Sequence, residues 1–387
     1  MVDIARRMNQ LPTLIFNELI EYKKKKISEG SEMIDLSIGS PDQPPPSFVV
    51  NELIRNAEDP EQYGYTISGI DAFHQAAAAY YKRFGVQLDP KTEIVQLMGS
   101  QDGIVHLPLV FCNPGDIVLV PDPGYTAYES GLNLAEAQAY PMPLLAENGF
   151  LPDLSNIPED IARKAKMMIL NFPGNPIPKL ATKAFFEEVV AFAKKYGVVV
   201  AHDFAYCELV FDNNKPVSFL SVEGAKDIGV EFNSLSKSFN MAGTRVGFLS
   251  GNGDVIRLFS QLKSHMDYGI FEPIQRAAAL ALTDGEAFAR SNAALYEARR
   301  DTFISGMSRI GWNIQPPDAT MFLWAKIPKG KTSLGFTYEL MDRAGVVVTP
   351  GNAFGGHGEG YVRIALVQNE DTLKKAIQKI DQSGVLK

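Results

Sequence analysis

In SLSKSFNMAGTRVGF, residues 234–248, Lys237 stands between Ser236 and Ser238, with Ser234 just before it and Arg245 eight residues on. Hydroxyls together with a guanidinium, which grips two oxygens at once, make a seat for a phosphate. A lysine set in that seat aims an amine at whatever the phosphate carries. No acid stands beside Lys237 in the sequence, so at the end of an apolar run its charge needs a partner or a function. Asn175 in NFPGNPIP and Asp203 in VVVAHDFAY also close apolar runs. Taken singly, either suits a turn, Asp203 as a cap and Asn175 as the residue before a proline. In GSQDG, Gly99, Ser100 and Gln101 offer backbone N–H groups at a helix start, which suits an anion without any basic side chain.

These residues need a frame. From about residue 90 to 250, short apolar runs alternate with segments of helical period, the pattern of an α/β sheet. EIVQLMGS reads as a strand, DGIVHLPLVFC as the helix after it, and NPGD turns the chain into the strand IVLVPDPGY. KMMILNFPGN, VVVAHD, GVEFNSLS and TRVGFLSG complete the strands, while KAFFEEVVAFAKKYG is a helix stopped by Gly197. Near-continuous apolar runs suit strands buried on both faces of a mostly parallel sheet. Ligands of such sheets collect beyond the carboxyl ends of the strands, so the polar residues above should ring one crevice. The expected organisation is a large α/β domain over 41–285, with flanking helices. A smaller α+β domain follows over 286–387, with strands at MFLWAKIP and YVRIALV, and the N-terminal arm, 1–40, contributes to it.

Together the polar residues fit pyridoxal 5′-phosphate. Its aldehyde forms an imine with a lysine amine near the phosphate, the place of Lys237. Its pyridine nitrogen needs a buried carboxylate to stay protonated, the place of Asp203. Asn175 and Tyr206 offer donors to O3′, and Tyr125 in PDPGYTAY follows a strand end, where it can stack on the ring.

SLSKSFNMAGTRVGF and VVVAHDFAY resemble the phosphate-and-imine motif and the Asp-x-x-Tyr strand of the class I/II aminotransferases, the fold-type I pyridoxal-phosphate enzymes, and the resemblance runs over essentially the whole chain. It implies that Lys237 is the Schiff-base lysine and moves the proton between Cα and C4′, that Asp203 holds the pyridinium, and that Tyr206 and Asn175 bind O3′. Ser100, Gln101, Ser234, Ser236 and Arg245 would bind phosphate, and Tyr125 would stack. Arg363 in GYVRIAL matches the arginine for the substrate α-carboxylate, with Gly39 in IDLSIGSPD lining the same pocket. Tyr65 in YGYTISG resembles the tyrosine that reaches the partner subunit's phosphate, which implies a homodimer with shared sites. The implied reaction is ping-pong transfer of an amino group from an L-amino acid to a 2-oxo acid. The motifs look most like a bacterial branch acting on alanine and glutamate, methionine or LL-diaminopimelate. A pyridoxal-phosphate C–S (β-) lyase of the same fold uses the same Lys237 and Asp203 and is the alternative. Three departures from the family stand out: Ile177 and Pro178 replace the usual Thr-Gly after Asn175-Pro176, Thr244 replaces a tryptophan, and Tyr65 lies one residue nearer Gly69 than usual.

The bulk composition narrows the rest. The chain has 387 residues, 45% of them apolar, and a net charge of −8, which gives no general attraction to nucleic acid or anionic membrane. Lys23 to Lys26 reads as the solvated face of a helix. Two distant cysteines and five scattered histidines suggest neither a disulfide framework nor a metal site. No apolar stretch approaches a membrane span and no signal-peptide core opens the chain, so a cytoplasmic protein is expected. The glycine-rich GNAFGGHGEG precedes a strand and lacks G-x-G-x-x-G spacing after one, which argues against a dinucleotide site. His202 reads equally as support for Asp203 or as a packed core residue; Tyr128 either lines the pocket or only packs. Cys207 and Met98 read as core.

Overall fold

The computed structural model describes residues 3–11 and 15–387 and turns the apolar runs into strands. In chain order these are β1 (Ile34–Asp35), β2 (Ile94–Leu97), β3 (Ile117–Asp122), β4 (Gln138–Pro143), β5 (Ala165–Asn171), β6 (Val199–Asp203), β7 (Gly229–Ser234), β8 (Gly247–Gly251), β9 (Phe322–Lys326), β10 (Val346–Val347), β11 (Thr349–Pro350) and β12 (Tyr361–Ala365). A seven-stranded sheet has the order β2-β8-β7-β6-β5-β3-β4. β8 is antiparallel to both neighbours, and the other pairs are parallel, as the expected mostly parallel α/β sheet requires. β4 is an edge strand without the expected apolar run. Pro141 and Pro143 lie in it, which an edge tolerates because one side of the strand has no partner.

Successive side chains take opposite faces. Met168, Leu170 and Phe248 join one apolar cluster, while Met167, Ile169 and Leu249 join another on the far side. Burying each such side chain contributes about 1.5–3 kcal/mol, so the sheet is a stiff frame for whatever lies at its rim. β11, β12 and β9 form a separate antiparallel sheet, and β1 pairs in parallel with β10. This second sheet packs its Phe322, Leu323 and Ile364 against Tyr296, Phe303 and Met307 of the helix Glu286–Arg309 and against Leu373 and Ile380 of the helix Glu370–Ser383.

Register decides which residues meet. Leu97, Gly247 and Ser234 lie side by side across β2, β8 and β7, and Asn171 lies beside Asp203. Because β8 runs backwards, its amino end, with Arg245 just before it, sits at the carboxyl rim of the parallel strands. No helix among the described residues is long and apolar enough to cross a membrane.

Candidate active site

Apart from Tyr65, every cofactor or substrate residue expected above lines one cleft of about 430 Å³ at that rim. Lys237 lies on the short helix Leu235–Ser238 directly after β7, whose N-cap is Ser234: its hydroxyl accepts from the Ser236 N–H at 3.2 Å. The Lys237 amine donates to the Gly39 carbonyl at 2.6 Å. Burial, and behind it the charges of Arg363 and Arg245, brings its pKa down from 10.5 to about 8.

Beside it is a cradle. Gly99 has φ +78°, and a Cβ there would collide with Arg245 Nη2. The missing side chain is what lets the guanidinium close over the start of the helix Ser100–Phe111. Arg245 itself is left-handed at φ 53°, a conformation costly for a residue with a side chain and characteristic of functional positions. Gln101 accepts from the Tyr125 hydroxyl at 3.3 Å. Backbone N–H groups at a helix start, the hydroxyls of Ser100, Ser234 and Ser236 and one guanidinium fit a phosphate.

The Asp203 carboxylate ends β6, fully buried. It accepts from the Tyr128 hydroxyl at 2.9 Å and from the Ala205 N–H at 3.2 Å, and burial raises its pKa despite both donors. Asn171 at the end of β5 donates to the Asp203 carbonyl and accepts from the Asn175 N–H, both at 2.8 Å. That brace keeps Asn175 in the cleft. Ile177, in place of the usual threonine, turns into the apolar core. The Tyr206 hydroxyl, its pKa pushed up by burial, lies in the same cleft with its ring 5.7 Å from Phe322.

Arg363 comes from β12 and is 3% exposed. It donates to Asn175 Oδ1 at 2.9 Å, to the Ser37 carbonyl and to Thr349 Oγ1 at 3.3 Å, while its buried Nε finds no partner among the described residues. Phe322 and Phe354 cover the guanidinium at 4.4 and 4.8 Å. No carboxylate pairs with it among the described residues, and burial lowers its pKa to about 10. A buried guanidinium held by neutral acceptors is matched to a carboxylate that arrives with a ligand.

The model of the family "Aminotransferase class I and II" matches residues 31–380. The chain belongs to that family. This aminotransferase is 45% identical over 382 residues to the LL-diaminopimelate aminotransferase of Moorella thermoacetica, covering 97% of each chain. It is 45% identical over 375 residues to the L-glutamine–4-(methylsulfanyl)-2-oxobutanoate aminotransferase of Bacillus subtilis, covering 96% of this chain and 94% of that one. Among solved structures, substrate-bound BacF from Bacillus subtilis superposes with a TM-score of 0.95 at 38% identity, covering 99% of this chain and 98% of the other. The aminotransferase is thus a pyridoxal-phosphate enzyme acting on an amino acid and a 2-oxo acid, and the lyase alternative is not favoured.

Of the other residues singled out in the sequence of this aminotransferase, Met98 departs from its reading. Tyr65 is 84% exposed, away from its own chain's cleft, with its ring 5.1 Å from that of Tyr268. Met98 is not core but 45% exposed: it sits where β2 has ended and its carbonyl turns towards Arg245. His202 bonds Glu231 at 2.7 Å and the Phe172 carbonyl at 3.0 Å, so it is a core residue satisfied away from the Asp203 carboxylate. Cys207 is buried, with its thiol pushed up to about 12. Tyr128 does touch the site, through Asp203. Phe16 and Ile20, one turn apart on the helix Ile15–Ser28, and Ile38 and Phe354 also line the cleft, and sequence reasoning did not single them out. The spacing of Phe16, Leu19 and Ile20 was the available signal, but four lysines on the same helix draw attention to its wet face.

Proposed function

We propose that this aminotransferase moves the amino group of an L-amino acid with an apolar, unbranched side chain, methionine foremost, to a 2-oxo acid in two half-reactions at one site. When bound, pyridoxal phosphate would supply an aldehyde for the Lys237 amine and a ring that withdraws electrons from the substrate Cα. Ser100, Gln101, Ser234, Ser236 and Arg245 would anchor the phosphate, Asp203 would keep the ring nitrogen protonated, Asn175 and Tyr206 would serve O3′, and Tyr125 would hold the ring. Arg363 takes the substrate carboxylate with Gly39 beside it, which fixes Cα. Lys237 would be the group that takes the proton from the substrate Cα and gives it back, and its pKa, lowered to about 8, leaves a larger share of neutral amine near neutral pH than an ordinary lysine has.

The observation that carries the reading is one cleft holding a depressed lysine, a buried carboxylate and a buried arginine with no acid of its own among the described residues. The apolar preference rests on Phe16, Ile20, Ile38 and Phe354 in the lining of the cleft. The charged residues lining the cleft, Asp203, Lys237, Arg245 and Arg363, all have roles, which leaves the distal charges of LL-diaminopimelate unmatched on this chain. The relative acting on 4-(methylsulfanyl)-2-oxobutanoate points the same way. We further propose a large domain over 41–285 and a small one completed by 1–40, and a homodimer in the cytosol, where two unpaired cysteines are at home. The test is the visible absorption of the purified protein with a panel of L-amino acids. Conversion of the imine band to the pyridoxamine form, fastest with methionine and absent in Lys237→Ala, is expected. Faster conversion by LL-diaminopimelate overturns the apolar preference, and a normal band in Lys237→Ala overturns the lysine.

A further inference from the structure

Tyr128 stands behind two groups assigned to the cofactor. It lies in the first turn of the helix Thr126–Leu134, where its N–H donates to the Tyr125 carbonyl at 3.0 Å. Its hydroxyl donates to Asp203 Oδ2 at 2.9 Å, and its ring meets that of Tyr125 edge-on, 5.7 Å between centroids at 89°. We propose that Tyr128 is a positioning residue for pyridoxal phosphate: it fixes Asp203 as an oriented anion for the ring nitrogen and braces Tyr125 for the ring face. The inference rests on the assignment of Asp203 to that nitrogen made above.

The chemistry of the donor matters. A buried carboxylate left alone takes up a proton and stops stabilising a pyridinium. A lysine or arginine partner would keep it ionised but would cancel its charge. A tyrosine hydroxyl favours the anion by one hydrogen bond and leaves the negative charge to act on the ligand. The second donor, the Ala205 N–H, binds the other oxygen, so the two together set the plane of the carboxylate. The other titratable groups acting on Asp203 are Tyr125, Tyr206 and His202, and none of them hydrogen-bonds the carboxylate. A purely packing role for Tyr128 is the competing account, since its ring belongs to the apolar cluster with Ile104, Val118 and Met167. Phenylalanine keeps that ring and removes only the hydroxyl, so Tyr128→Phe separates the two.

The experiment records the nitrogen-15 resonance of ring-labelled pyridoxal phosphate in the holoenzyme, in Tyr128→Phe and in Asp203→Asn, alongside kcat and KM for methionine. The expected result is a resonance in Tyr128→Phe displaced towards neutral pyridine, with kcat down about 10- to 100-fold, the worth of a hydrogen bond to a charged group, and KM little changed. A wild-type resonance and kcat in Tyr128→Phe, with the resonance moved in Asp203→Asn, overturns the proposal and leaves Tyr128 as packing. A wild-type resonance in Asp203→Asn removes the Asp203 assignment itself, and the proposal with it.

Discussion

Lys237 is held with its charge disfavoured, first by burial and then by Arg363 and Arg245. Its pKa of about 8, against 10.5 in an unfolded chain, has a consequence that needs no catalysis. Between those two values the unfolded chain keeps a proton that the folded chain has released. Stability of the cofactor-free protein therefore rises with pH across that window, and below it the buried ammonium is a penalty. Urea unfolding at a series of pH values should show that rise, and Lys237→Met should flatten it and stabilise the protein near pH 7. An equal slope in both proteins would mean the amine is not held low. Lys237 and Asp203 were legible in sequence because each interrupts an apolar run with a charge that burial would otherwise forbid. Tyr128 stayed open between pocket and packing, since a tyrosine three residues after another suits either until its hydroxyl is seen on a carboxylate. Met98 misled for the opposite reason: an apolar side chain at a strand's end belongs to the core only if the chain does not turn there.

Strands, helices and their order follow from the pattern of apolar runs, but register and direction do not. Nothing in TRVGFLSG says that β8 runs backwards, and it is that reversal which brings Arg245 beside Ser100 and Ser234. β4 escaped because prolines and exposed positions at an edge carry no strand signature. The turn at Gly99, by contrast, was written in sequence as GSQDG. Its φ of +78° and ψ of 156° belong to glycine, and its missing Cβ is the space that Arg245 Nη2 occupies. Gly99→Ala should cost about 1–3 kcal/mol in backbone strain, read as a lower unfolding midpoint in urea. The arginine's far end can swing away, so the chain still folds. The larger effect falls on the phosphate, with the Kd for pyridoxal phosphate raised about tenfold or more by loss of a charge-assisted bond. Unchanged cofactor affinity would show that the turn and Arg245 do not form the cradle.

At the scale of the whole molecule one surface is out of keeping with the rest. Tyr63, Tyr65, Tyr268 and Phe271 are exposed together, with ring pairs 5.0 Å (Tyr63–Phe271) and 5.1 Å (Tyr65–Tyr268) apart, and Ile67 is exposed close by in sequence. A cluster of exposed aromatic side chains marks a contact surface rather than scattered apolar residues. The segment that carries Tyr65 is held on β2, where Gln96 Nε2 donates to the Thr66 and Ile67 carbonyls, and the patch suits a twofold contact in which each chain would lend Tyr65 to the other's site. Hybrid dimers separate the two ways Tyr65 can act. Lys237→Ala and Tyr65→Ala each lower activity when alone. If Tyr65 serves the partner, a mixed dimer gathers both defects in one site and leaves the other with an intact Lys237 and an intact partner tyrosine. Mixing the two impaired variants, after dissociation and reassembly, should then restore up to about half the activity per hybrid dimer. If Tyr65 serves its own chain, each site of the hybrid keeps one defect and mixing restores nothing.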